Sequence, residues 1–216
     1  MTARNRKSIT VITPQSAAVP IISLAEMKSF MRVDTAADDS LIEDFVKIAT
    51  ESIAQFIRRS IVSQTIELTM DGFGNGNSVA DSLPAGVYDL PKSYGMSNTN
   101  SIDLPFLPIV SITSIKTYDQ ANAVSTLSSA AYTLDANGGR VYLNSGYNWP
   151  SSLRDRASVV IKYVAGYGYT NVPFPIRQAV RQYAAAMYDC RRMCDMAPEM
   201  VEMLAPYRIL DNMGLN

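Results

Sequence analysis

Residues 38–57 read DDSLIEDFVKIATESIAQFI, and residues 172–192 read VPFPIRQAVRQYAAAMYDCRR. In the first stretch Leu41, Phe45, Ile48, Ala49, Ile53, Phe56 and Ile57 recur at steps of three and four, the apolar stripe of an amphipathic helix about 19 residues long. Asp38, Asp39 and Ser40 are N-cap types at its start, so one aspartate is read as the cap and the other as a partner of the helix dipole. In the second stretch Ile176, Ala179, Val180, Tyr183, Ala184, Met187 and Tyr188 keep the same period, which predicts a helix from about Pro175 to Met193 with proline tolerated in the first turn. Two such stripes need partners, and the two helices are expected to pack on each other.

Working outward, Ser23 and Glu26 are spaced as a capping box before a short helix at about 24–31. A last short helix begins at Pro198 and ends before Pro206. Between the long helices the period changes to two. From Ser63, SQTIELTM alternates Ile66, Leu68 and Met70 with Thr65, Glu67 and Thr69, a strand with one wet face. Further strands are expected at Val87–Leu90, Ser101–Leu104, Ile109–Tyr118, Ala131–Leu134, Arg140–Leu143 and Ser158–Val164, separated by turn signals such as Asp135–Gly139 and Asn144–Gly146. The fold class is therefore α+β: a small helical bundle of two long and two short helices with a β-rich antiparallel insertion between the long ones. The domain plan is an extended N-terminal arm at 1–20, a helical domain at 21–60 plus 173–205, the β-rich insertion at 61–172, and a C-terminal tail at 206–216.

Composition narrows the chemistry. The 216 residues hold 19 Lys and Arg against 20 Asp and Glu, a net charge of −1 that argues against gripping duplex DNA, which takes a clear basic excess. There is no histidine, which removes Ser-His-Asp and Cys-His triads, His-ligated zinc and the commonest base near pH 7. No apolar run of about 18 residues offers a membrane span. The opening MTARNRKSITVITPQS lacks a signal-peptide core, so a cytoplasmic product is the expectation. Charge is uneven: residues 60–150 carry −4, while Arg4, Arg6 and Lys7 make the arm basic.

Each candidate for chemistry has a plainer reading. Gly72–Asn77 neither opens a helix, as a phosphate loop must, nor places oxygen ligands as a calcium loop does, because Phe73 takes the third place counted from Asp71; it reads as a hairpin tip. Asp38 and Asp39 point in different directions and make a poor acid–base pair. Cys190 and Cys194, four apart on the expected helix, close no zinc site and read as apolar packing. Tyr163, Tyr167 and Tyr169 could stack single-stranded bases or a glycan, or could serve a core edge or subunit interface. The Met-rich end, including Met200 and Met203, either completes a core or docks on a partner. No catalytic, cofactor-binding or metal-binding residues are assigned, and no cofactor is expected. A hydrolase using paired carboxylates would need two at catalytic separation, and the sequence offers no such pair.

Taken in order, SLAEMKSFMRVD at 23–34, DDSLIEDFVKIATESIAQFIRRSI at 38–61, DLPFLPIVSITSIKTYD at 103–119, the Arg140–Leu143 strand with Trp149-Pro150 after it, VVIKYVAGYG at 159–168, VPFPIRQAVRQYAAAMYDCRR at 172–192 and APYR at 205–208 resemble the head-to-tail connector, or head-completion adaptor, family of long-tailed bacteriophages and related gene-transfer particles, over about residues 21 to 210. The resemblance implies a non-enzymatic virion protein at the capsid–tail junction, assembled in the bacterial host cytoplasm. It implies a ring of identical subunits, typically twelve, beneath the portal protein, joining capsid to tail. Such a ring would meet a tail-completion, stopper or tail-tube component and extend a channel through which genomic DNA passes without specific binding during packaging and ejection. It also implies that the C-terminal segment faces the portal, through Met200, Met203, Leu204, Tyr207, Arg208 and Leu210. Contacts between subunits are expected from Arg4, Arg6, Lys7, Tyr167 and Tyr169. The Ser82–Asn100 stretch is long for the family.

Overall fold

A computed structural model describes residues 7–13, 20–73, 101–168, 171–192 and 194–209. The strand expected at Val87–Leu90, the Ser82–Asn100 stretch and most of the Gly72–Asn77 loop lie outside those residues. The elements in chain order are β1 Lys7–Thr13, α1 Leu24–Met31, α2 Asp39–Ile57, β2 Gln64–Met70, β3 Ser101–Asp103, β4 Ile109–Tyr118, β5 Val124–Thr126, β6 Tyr132–Asp135, β7 Arg140–Leu143, β8 Val159–Ala165, α3 Phe174–Cys190 and α4 Pro198–Leu204. Single 3₁₀ turns precede β6 and follow α4. The described residues are mixed α+β with four α-helices, and the strand pairs β3–β7, β4–β5 and β6–β7 are antiparallel.

Two compact units divide it. The helical unit takes in described residues of Thr13–Thr65, Pro105–Val110 and Ala165–Asn216. Here α3 lies along α2, and α1 and α4 pack beside α3. Ile42, Val46, Ala49, Ile53 and Ile57 of α2 meet Ile176, Ala179, Val180, Tyr183, Ala184 and Met187 of α3 in one continuous apolar core. Burying an Ile or Met side chain there contributes about 1.5–3 kcal/mol over leaving it in water. The observed stripe on α2 is rotated from the expected one. Ala49, Ile53 and Ile57 belong to both, but Ile42 and Val46 are buried, whereas Leu41, Phe45 and Phe56 are half-buried and Ile48 is exposed. Two apolar stripes one residue apart satisfy the same period, and only the position of α3 selects between them. The capping box at α1 forms as expected: Glu26 N–H donates to Ser23 Oγ at 3.2 Å, and Ser23 N–H donates to the Glu26 carboxylate at 3.1 Å.

Helix α3 stops at Cys190, where Arg191 takes a left-handed conformation with φ 51°. Cys194 therefore lies beyond the helix, and the expected shared face with Cys190 does not exist. Cys190 is exposed, not packed, while Cys194 is half-buried against the core.

The β unit takes in described residues of Met1–Ile12, Ile66–Leu104 and Ser111–Val164. Its strands form a five-stranded sheet in the order β1-β2-β8-β4-β5 and a three-stranded sheet in the order β3-β7-β6. In the smaller sheet Ile102 sits opposite Val141, and Val141 opposite Leu134. Strands β2 and β8 alternate, burying Ile66, Leu68 and Met70 and Val159, Ile161 and Tyr163. The face of β2 carrying Thr65, Glu67 and Thr69 is half-buried, not wet as alternation alone suggests, because β2 has a neighbour on each side. Strands β1 and β5 were not expected. Residues 8–12 and 124–126 are exposed throughout and show no in–out alternation to read.

Candidate assembly surfaces

Several charged side chains hold the helical unit together. Glu26 takes Arg181 Nη2 at 3.0 Å and Arg177 Nη2 at 3.6 Å, so two guanidinium groups one turn apart on α3 share the cap carboxylate of α1. The Ser23 backbone N–H, and then Arg181 and Arg177, hold the Glu26 carboxyl below the ordinary glutamate range. Asp38 was expected to cap α2 or meet its dipole, but its side chain makes no cap bond. Asp38 Oδ2 accepts from Tyr188 OH at 2.6 Å and from Arg191 Nη2 at 3.3 Å, and these contacts, in that order, lower the Asp38 pKa. Asp39 is taken by Lys28 Nζ at 2.7 Å. Neither aspartate is left as an acid–base pair. An i, i+4 arginine pair on α3 was the visible signal for the first cluster; nothing local marked Tyr188 as a partner of Asp38.

The C-terminal segment returns to the end of α2. Arg59 Nε donates to the Tyr207 carbonyl at 2.6 Å, Ile209 N–H donates to the Ile57 carbonyl at 3.0 Å, and the Arg208 guanidinium stands 5.1 Å from the Phe56 ring centre. Met200 and Leu204 are buried in the protomer's own core. A buried side chain presents few atoms to a partner, so the expected part of Met200 and Leu204 in the portal face would run through the placing of α4. Met203 and Tyr207 are half-buried and Arg208 is exposed, while Leu210 lies outside the described residues.

Among the residues expected between subunits, Arg4, Arg6 and Tyr169 lie outside the described residues, and Lys7 opens β1. Tyr167 is half-buried against the helical core, and its N–H donates to the Ile61 carbonyl at 3.2 Å. Beside it Gly166 has φ 130°, and a Cβ there would strike the Val62 carbonyl. Tyr163 is fully buried, and burial raises its phenol pKa. Of the two described tyrosines of this run, Tyr163 has no open ring face for a base or a glycan, and Tyr167 lays part of its ring against the helical core.

The β unit is pinned by polar side chains acting over long sequence distances. Asp71 Oδ1 accepts the Ala157 N–H at 2.9 Å, and Ser158 Oγ donates to the Asp71 carbonyl at 2.7 Å. Arg154 lies 4.2 Å from the Tyr118 ring centre and donates to the Ala157 carbonyl and to Asn122 Oδ1. Phe73, expected in a hairpin tip, is buried and stacks on Trp149 with ring centres 4.4 Å apart and planes 12° from parallel.

One apolar cavity in the helical unit, about 110 Å³, is bounded by Pro20, Ile22, Leu24, Ile42 and Val46 with Glu43 and Lys47 at the rim. It falls below the several hundred Å³ of a ligand site. Among the described residues no group of three metal-ligating side chains comes together, and no helix is long and apolar enough to cross a membrane.

This arrangement is that of a scaffold: helices joined by ion pairs, a β unit pinned by part-buried polar contacts, and exposed sheet edges. Residues 21–137 match the family model of phage gp6-like head-tail connector proteins, more than half of the chain, and the chain belongs to that family. It is a structural adaptor joining capsid to tail, not an enzyme. Among solved structures it is similar to a chain in the neck of an empty gene transfer agent particle computed with C6 symmetry, at 19% identity and TM-score 0.71, covering 96% of this chain and 98% of that one. It is also similar to chains in the virion of the native particle, at 18% identity and TM-score 0.69 over 95% and 97% of the two chains, and in the native neck computed with C12 symmetry, at 18%, 0.67, and 96% and 98%. No curated protein matches it.

Proposed function

We propose that copies of this chain form a closed ring of identical subunits, twelve in number, at the capsid–tail junction of a virion or gene-transfer particle. The ring sits beneath the portal, receives a tail-completion, stopper or tail-tube component, and extends the channel for the genome. The single observation carrying this reading is the near full-length fold similarity to neck chains of particles computed with C12 and C6 symmetry, joined to membership of the connector family. Within each subunit the four helices act as a rigid bundle that carries the β-rich insertion. The near-zero net charge suits a bore that lets duplex slide, since tight binding would take a row of phosphate contacts.

The portal-facing part includes the half-buried Met203 and Tyr207 and the exposed Arg208, together with Leu210 beyond the described residues. Arg4, Arg6 and Lys7 with Tyr169 contribute between subunits, and assembly takes place in the host cytoplasm. Electron microscopy of the purified chain, alone and mixed with portal, tests the proposal. Rings stacked on the portal are the expected image. A particle reconstruction placing the chain away from the neck would overturn it.

A further inference from the structure

Of the large apolar side chains that are exposed among the described residues, five lie on three strands of one sheet. Ile9, Val11 and Ile12 on β1, Val110 on β4 and Val124 on β5 are between 41% and 57% exposed. These strands stand at the two ends of the order β1-β2-β8-β4-β5. Sheet edges in soluble proteins are usually blunted by charge, proline or a bulge, because their free N–H and C=O groups recruit other strands. Past Lys7, which opens β1, neither edge is blunted: Ser8–Thr13 reads SITVIT and Ile109–Ser114 reads IVSITS, with no charged residue, proline or glycine in either.

The second edge is also incomplete. Strand β5 pairs only with Lys116, Thr117 and Tyr118, and the ladder ends where Leu127 N–H meets the Ile115 carbonyl at 2.8 Å. Backbone groups alternate in direction along a strand, so the N–H and C=O of Thr113 and Ser111 point to the same side as those of Ile115. Beyond Ile115 no strand among the described residues covers that side.

We propose that β1 of one copy of this chain lies along the uncovered edge of β4, at Ser111–Ser114, of the next copy, so that the five-stranded sheet continues from subunit to subunit. This rests on the ring reading above, and it names the contact that closes the ring. A ring needs two different surfaces that fit each other on every subunit, and two opposite edges of one sheet supply them. Main-chain hydrogen bonds would provide the affinity. The Ile9 and Val11 side chains on one face of β1 and Ile12 on the other would be covered by the neighbour, fixing the register.

The test uses the full chain with Cys190→Ser and Cys194→Ser, carrying Val11→Cys and Thr113→Cys together or singly, oxidised both as purified protein and in assembled particles. A ladder of covalent multimers from the double variant, and none beyond dimers from either single variant, is expected. In parallel, Ile9→Lys with Val11→Lys should lower ring yield by about tenfold or more while leaving the circular dichroism of the monomer unchanged. Rings of normal appearance in the double cysteine variant with no ladder, or full ring yield from the lysine variant, would overturn the edge contact and leave the ring reading standing. Thr113→Cys coupling to the portal, or to another segment of its own chain, would also overturn it. Wild-type chain that never forms rings, even in particles, would bring down the ring reading and the edge contact together.

Discussion

The helical unit and the β unit are held by different means. In the helical unit one apolar core runs unbroken from Ile21 through α2 and α3 to Leu204, and ion pairs such as Glu26 with Arg181 trim its rim. In the β unit buried residues are shared between two small sheets, and much of the cohesion comes from Asp71 and Arg154 tying backbone groups far apart in sequence. The first unit should therefore yield to lost volume and the second to lost polar contacts. Trp149 is the sole tryptophan and belongs to the β unit, so its fluorescence follows that unit while far-ultraviolet circular dichroism follows the helices.

The largest effect is expected from Ile53→Ala, which removes a fully buried side chain between the long helices and should cost about 2–5 kcal/mol. The circular dichroism transition should drop by several degrees and the Trp149 transition by less. Equal shifts would erase the contrast between the units. Next comes Gly166→Ala, expected to cost about 2–3 kcal/mol because φ is in the left-handed range and the new Cβ meets backbone at Val62. Thermal melts should show the loss, and an unchanged melt would mean the chain shifts there without strain. In the β unit Asp71→Ala leaves the Ala157 N–H without its acceptor, a loss of about 1–3 kcal/mol. Here the Trp149 transition should move more than the helical one.

The smallest and most diagnostic effect concerns Glu26. Its folded pKa is lowered, so its charged contacts contribute stability that is fully present above the ordinary glutamate value of about 4.3 and is lost as pH falls through the lowered folded value. Glu26→Gln should lower stability at pH 7 by under about 1 kcal/mol, since the pair is partly solvated. Melts from pH 7 down to pH 3 should show the gap between wild type and variant closing in acid. A constant gap would assign the effect to packing.

Much of the helical unit was legible because its signals are local. The Ser23 and Glu26 spacing located α1, and the buried set of α3 is the expected one except for Tyr188, which the structure turns to Asp38. The rotation of the α2 stripe was not legible, because it depends on a helix more than a hundred residues away. In the β unit β4 and β7 fall where alternation and turns put them. Strand β5 has three exposed residues and no pattern, and β1 looks like an arm until β2 is beside it. As for the candidate surfaces, sequence could nominate the Met-rich end but could not divide Met200 and Leu204, which are buried, from Met203, which is half-buried against the same core, and Arg208, which is exposed. That division depends on how α4 packs beside α3.

The order of the elements also bears on biosynthesis. Helix α2 leaves the ribosome with its apolar side bare, and the helix that covers it arrives only after every described strand has been made. For that interval the nascent polypeptide shows a greasy surface it cannot hide by itself. A truncation ending before Phe174 should therefore be captured by chaperones or aggregate, whereas the completed chain releases itself once α3 closes over α2.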